Sequence, residues 1–485
     1  MPKFVLYGGI GLVVVILIVV IVSVVSGSKG KKPATTGDTA SSSGKTVLTW
    51  WHPLDSPDAL KPIIDSYMRA NPTIEIKLVQ KQLEGYEEEA TNALAAGEGP
   101  DIWSIPNAYI PKELDKLSPA PDGMYRKNKY DATTNLQYVQ GRFVPLAVRE
   151  NVREDKVYGL PLYVDTLTLF VNKSLLGKRF FDLQRSKADI DDKLYTTGPR
   201  TWNEFVNLVT TYTVRQGDLI TKPAVALGRA DNVHNAKDIV AALMLQNGAT
   251  LVSPDGITAT FNIPITKATG EQYNPGKESL GFFLNFSDPK RPEYTWNSTF
   301  PSSYEAFRDE QVAMIIDYAD SVKTLKQEVP NFKLASWPLP QIQGEITPLD
   351  LGSYWTETVP KTSKNVAQAW AFVRYLTSTG QSQYLSSTGR SSSKKPPTVP
   401  KSILLRTTSG NPQRFQSQSA AMWYRGRDPQ EFERIFTQMI QLSSEKPSDI
   451  QKYLDGASND ITKLLRLREG YTAKPRSTPE KKVDK

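Results

Sequence analysis

Between residues 47 and 105 the spacing of apolar side chains switches repeatedly between strand and helix periods, and that order restricts the fold more than any other feature. Val47-Leu48-Thr49-Trp50-Trp51 has the pattern of a buried strand, and Ser56-Pro57 supplies the cap and first-turn proline of a helix. Leu60, Ile63, Ile64, Tyr67 and Met68 fall on one stripe of that helix before Asn71-Pro72 stops it. Ile74, Ile76 and Leu78 alternate with polar residues as a second strand does, a helix over 86–96 ends at Gly97, and 100–105 returns as a third strand. Strand, helix, strand, helix, strand is the opening of a doubly wound parallel sheet, whose ligands lie at the carboxyl ends of its strands.

A second set of α/β elements begins after Tyr158-Gly159-Leu160-Pro161 and the apolar run 166–171. Thr201 and Glu204 make a capping box for a helix whose stripe is Trp202, Phe205, Val206 and Val209. Ile239, Val240, Leu243 and Met244 mark a further helix closed by Asn247-Gly248. Residues 312–316 read as a buried strand, and Val366, Trp370, Val373 and Leu376 as a late helix stopped near Gly380. Two α/β lobes without a visible internal repeat are the economical reading.

Composition narrows the function. Of 485 residues, about 440 remain after an apolar N-terminal stretch and its tether, enough for two or three lobes with real cores. With 39% hydrophobic and 23% charged residues the body is globular rather than disordered. The absence of cysteine excludes disulfide frameworks, thiolate zinc sites and cysteine nucleophiles. His52 and His234 are the only imidazoles, too few for a multi-histidine metal site, so no metal and no cofactor is expected. The formal charge of +8 is concentrated in tether lysines and in the tail after Arg466, which argues for a solvated tail and against a nucleic-acid partner.

The stretch at 4–25 carries no charge, and its 22 residues would rise roughly 33 Å as a helix, against a hydrocarbon core of about 30 Å. It reads as a transmembrane signal anchor; Ser23-Val24-Val25-Ser26-Gly27 leaves a cleaved signal peptide as the alternative. Residues 26–45 are a flexible linker, and 471–485 a basic disordered tail. Lys29, Lys31 and Lys32 outnumber Lys3 on the far side of the span, which by the usual charge rule would place the body inside.

Taken in order, several segments resemble the extracellular solute-binding proteins of ABC importers, in the sugar-binding group that includes maltose-binding protein. They are 47–52, Gly97-Glu98-Gly99-Pro100-Asp101-Ile102, 158–166 leading into Val171-Asn172-Lys173, 201–205, Ala306-Phe307 with 312–314, and 351–358 before the late helix. The resemblance runs from about 46 to 465 and implies a periplasmic-binding-protein-like (type II) α/β fold. In such a fold two lobes, joined by a hinge, close on a ligand. Lobe one would comprise about 46–165 and 332–377, lobe two about 166–331 and 378–470. It further implies a monomer that captures an oligosaccharide, without enzymatic activity, and passes it to ABC permease subunits. The N-terminal helix would then be an anchor with the body on the extracytoplasmic face. A surface receptor or adhesion protein using the same fold without transport is the alternative. A glycosidase would need two carboxylates flanking a bond; Asp165 with Asp317 or Asp320 could supply them, but no sequence feature tunes either.

Sugars present flat apolar faces and rings of hydroxyls, so a sugar cleft needs aromatic platforms beside carboxylates and amides. After the first strand stand Trp51, His52 and Asp55; Trp50 and Trp51 alternate faces, so one of them is expected in the core. Asp101 either lines the cleft or holds its own loop, and Asn107 lies further along that loop. The resemblance places Tyr163 and Asp165 at the lobe crossing and Asp317, Tyr318 and Asp320 after the 312–316 strand. There the chain reads Asp-Tyr-Ala-Asp where relatives carry a Gly-Pro-Trp-like sequence. Tyr354, Trp355, Trp423 and Tyr424 are the candidate ring platforms.

Overall fold

A computed structural model describes residues 44–186, 192–267, 269–345, 347–396 and 412–467. The expected span at 4–25, almost all of the linker and the tail at 471–485 lie outside these residues. Among the described residues no helix is long and apolar enough to cross a membrane.

The first lobe grows from the expected βαβαβ unit. Strand β1 (Thr46–His52) runs parallel to β2 (Ile74–Gln80) on one side and to β3 (Ile102–Pro106) on the other. Helices α1 (Pro57–Ala70) and α2 (Tyr86–Ala96) make the crossovers. The Ser56 side chain accepts the Ala59 N–H at the start of α1, and Gly97, at φ 75°, closes α2 in the left-handed conformation. Trp50 and Trp51 point to opposite faces because side chains alternate along a strand. Trp50 packs with Leu60, Ile63 and Phe372, the last on α5 (Val366–Leu376). Trp51 joins Tyr86, Leu94 and Trp103 beneath α2. The sequence reading expects one core tryptophan; both are buried because a parallel sheet is covered on both faces.

Strands β4 (Gly159–Pro161) and β10 (Trp355–Thr358) complete this sheet in the order β2-β1-β3-β10-β4. Gly159 permits the close approach: a Cβ there would lie 2.6 Å from Thr356 Oγ1.

The second lobe has β6 (Thr168–Asn172) antiparallel between β7 (Met314–Asp317) and β8 (Leu334–Pro338). Helices α3 (Trp202–Tyr212), α4 (Ala236–Gln246), α7 (Pro429–Glu445) and α8 (Ile450–Leu467) share one core with this sheet. The Thr201/Glu204 capping box forms as the spacing indicates. Two lobe boundaries differ from the sequence reading. β8 begins at 334 and pairs along β6, so the return to the first lobe follows Pro338 rather than falling at 332. Helix α6 (Gln381–Thr388), expected in lobe two, buries Tyr384 in the first lobe's core. Hydrophobic periodicity signals that a segment is buried, not which of two cores receives it.

Between the lobes lies a small sheet ordered β11-β9-β5, made of β5 (Asp165–Thr166), β9 (Asp350–Ser353) and β11 (Ala420–Ala421). Each strand belongs to a stretch of chain passing from one lobe to the other. Asp350, buried at the centre, accepts hydrogen bonds from Ser419 Oγ at 2.6 Å and from Gln416 and Gln341 side chains at 2.8 and 3.2 Å. Burial nevertheless pushes its carboxyl up to about 6.

Candidate functional site

Strand β1 ends at His52 and β7 at Asp317, so the turns that follow them leave from the edges at which the two lobes meet. They meet through alternating charges. Glu357, on β10, accepts from Trp50 Nε1 at 2.8 Å and from Ser104 Oγ at 2.5 Å. His52 Nδ1 lies 2.9 Å from Ser104 Oγ and 3.6 Å from Glu357 Oε1, and its Nε2 lies 3.1 Å from Asp55 Oδ2. Burial alone would strip the His52 proton, but the hydrogen bonds with Asp55 and Glu357 outweigh it and raise the ring to about 9. Asp55 also accepts from Tyr384 Oη at 2.7 Å and from Arg390 Nε and Nη2 at 3.2 and 3.1 Å. Against the cost of burial, His52 and Arg390 hold its carboxyl well below the usual carboxylate range. Arg390 then reaches Asp320 at 2.9 Å, and Lys323 touches both Asp320, at 2.9 Å, and Asp55, at 3.8 Å.

Asp165 works beside this chain rather than in it. Its carboxylate accepts the backbone N–H of Thr166, Ala319 and Asp320 at 2.8, 3.0 and 2.8 Å, tying the lobe crossing to the 3-10 turn Ala319–Val322. Burial pushes it up to about 6 even though the three amides favour the charged form. Asp317 serves its own neighbourhood: it accepts from His234 Nδ1 at 2.7 Å, Asn235 Nδ2 at 2.8 Å and Ser321 Oγ at 2.7 Å. Its bond to His234 outweighs burial and raises that imidazole.

The remaining expected residues separate by burial. Trp51, buried, carries Lys81 Nζ 3.7 Å above its ring. Asp101 ties its loop to β1 and to the turn before α5, accepting from the Thr49 amide at 2.9 Å and Ser363 Oγ at 2.7 Å. Asn107 clasps the backbone of Tyr354 and touches Met422 Sδ. Tyr163 lies beneath the Arg390 guanidinium, 4.0 Å from ring centroid to carbon. Tyr318 sends its hydroxyl to Asp238 at 3.4 Å.

Two proposed platforms are core side chains. Tyr354 is 1% exposed and takes a hydrogen bond from Asn151, while Trp423, also 1% exposed, donates to Asp238 at 2.8 Å and packs on Phe432 and Phe436. Neither has a ring face left for a ligand. Trp355 and Tyr424 are half-buried and keep open surface; Trp355 leans on Tyr86 with ring centroids 5.9 Å apart.

Sequence reasoning missed Arg390, Lys323, Tyr384 and Glu357. Arg390 follows the left-handed Gly389 that ends α6, a helix stop visible in the sequence, but nothing local links it to Asp55, 335 positions away.

Comparison with known proteins agrees with this architecture. Residues 53–383 match the family described as bacterial extracellular solute-binding protein. The galactooligosaccharide-binding protein of Bacillus subtilis (strain 168) is 22% identical over 165 residues, 32% of this chain and 36% of that relative, so the chain matches about a third of its length. Among solved structures, the sugar-binding protein MalE of Xanthomonas citri superposes with a TM-score of 0.66 at 16% identity, covering 87% of this chain and 98% of that one. The cyclic α-maltosyl-1,6-maltose binding protein of Arthrobacter globiformis gives 0.65 at 16% identity, covering 87% and 100%. At such identities these likenesses speak for the two-lobe fold alone.

Proposed function

Because the chain belongs to the bacterial extracellular solute-binding proteins, we propose that it captures an oligosaccharide between its lobes and delivers it to an ABC-type importer. The observation that carries this reading is the combination at the lobe junction. Trp355 offers a partly open ring at the start of β10, and on the second lobe the partly exposed Asp320 and Lys323 stand against the buried Asp55–Arg390 pair of the first. A ring face can stack on the apolar side of a sugar, and carboxylates and cations can accept from and donate to its hydroxyls. The galactooligosaccharide-binding relative and the sugar-binding proteins of the same fold support the choice of ligand class. Closure adds the second half-site to the first and favours the closed population.

Retention at the membrane through residues 4–25 completes the reading. A flexible linker keeps the lobes close to a permease and raises their effective concentration there. The body would face outward, as a translocated binding protein must, against the lysine balance around the span. Protease treatment of intact cells tests this: release of the body supports it, and protection overturns it.

The ligand class is tested by thermal shift with a broad panel of glycans, amino acids and peptides. The proposal expects a rise in Tm and a change in tryptophan emission with at least one glycan. A response confined to other solutes would refute it.

A further inference from the structure

We propose that Arg390 is the positioning residue of the cleft, an ionic bridge from Asp55 of the first lobe to Asp320 of the second that sets the lobe separation before any ligand arrives. The inference rests on the two-lobe capture reading above but not on the ligand being a sugar. The backbone around Arg390 belongs to the first lobe: Val164 N–H donates to Ser391 O at 3.1 Å, and Ser393 Oγ donates to Pro161 O at 2.6 Å. Its guanidinium is 5% exposed, pressed on Tyr163 and bound through two nitrogens to Asp55 Oδ1. From that fixed mount it reaches Asp320, which stands on the turn after β7 and is held there by the Asp165 contact. Lys323, on the same turn, reaches back toward Asp55.

The two halves of the bridge are not equivalent. Arg390 and Asp55 move together with the first lobe, so opening the cleft leaves their pair intact and separates only Asp320 and Lys323. Those two side chains are 34% and 37% exposed, although the Asp320 Oδ1 that both cations approach is itself buried, so solvent screens the contacts only in part. Breaking them shifts the open-to-closed ratio by about fivefold. Such a bridge keeps the empty lobes near one another, and an incoming ligand must compete with it for Asp320 and Lys323.

The chain contains no cysteine, so Glu84→Cys and Gln438→Cys, at exposed positions on the two lobes, give unique sites for spin labels. Inter-label distances are measured on the full chain without ligand. Arg390→Gln and Asp320→Asn are each expected to raise the open population about fivefold, and the double variant no further. Arg390→Lys should fall between, and raising the ionic strength should open the parent protein while leaving Arg390→Gln unmoved. Unchanged distances in Asp320→Asn, a partly exposed position at which folding is not at stake, would overturn the proposal. So would additive effects in the double variant. A silent glycan panel would refute the sugar reading and leave this result standing.

Discussion

His52 shows how one buried residue imposes a pH dependence on the first lobe. Its ordinary value of 6.5 is raised to about 9 between Asp55, Glu357 and Ser104, so the folded chain holds a proton there that the unfolded chain releases. Stability from this group is therefore complete below about pH 6.5 and is lost as pH rises toward 9, by roughly 3 kcal/mol in total. Denaturant titrations at pH 6 and pH 9 should show this loss in the parent protein and a much flatter profile in His52→Gln; equal slopes would contradict it. The tryptophans divide by the same local logic. Trp423→Ala should cost about 3–5 kcal/mol, because a fully buried ring leaves a cavity. Trp355→Ala should change the melting temperature little and weaken glycan binding, which calorimetry on the two variants would separate.

At the scale of elements, legibility followed the range of the interactions. The helix from Tyr86 to Ala96, the capping box at Thr201 and the early strands were readable because period, cap and stop signal lie within a few residues of one another. Thr201→Ala should accordingly cost about 1 kcal/mol and leave ligand affinity unchanged. The site was less readable. Residues next to strand ends, such as His52, Asp55 and Asp320, could be named from strand position together with the family resemblance, whereas the partner that joins two of them, Arg390, arrives from a distant segment. Tyr354 and Trp423 read as platforms although both rings are buried, because an aromatic residue at a cleft-side position looks the same in sequence whether its ring faces solvent or core. The resemblance makes Asp165 a ligand acceptor, but three backbone amides occupy its carboxylate. Asp165→Ala should thus lower stability by about 1–3 kcal/mol as well as weaken binding.

For the whole molecule, three chain passages lie side by side in the β11-β9-β5 sheet, and the ion chain from Glu357 to Asp320 runs beside it, with Asp165 of β5 bound to the Asp320 amide. Crossing strands with breakable contacts beside them suit the two-lobe capture proposed above. A ligand binding only the folded form at one hundred times its Kd would add about 2.7 kcal/mol to stability, but stabilisation alone would not locate it. Amide hydrogen exchange with and without the responding glycan tests the capture claim most directly. The account predicts new protection concentrated in residues 52–56, 106–110, 317–323 and 422–425. Binding that leaves those segments unprotected, with protection elsewhere, would contradict it.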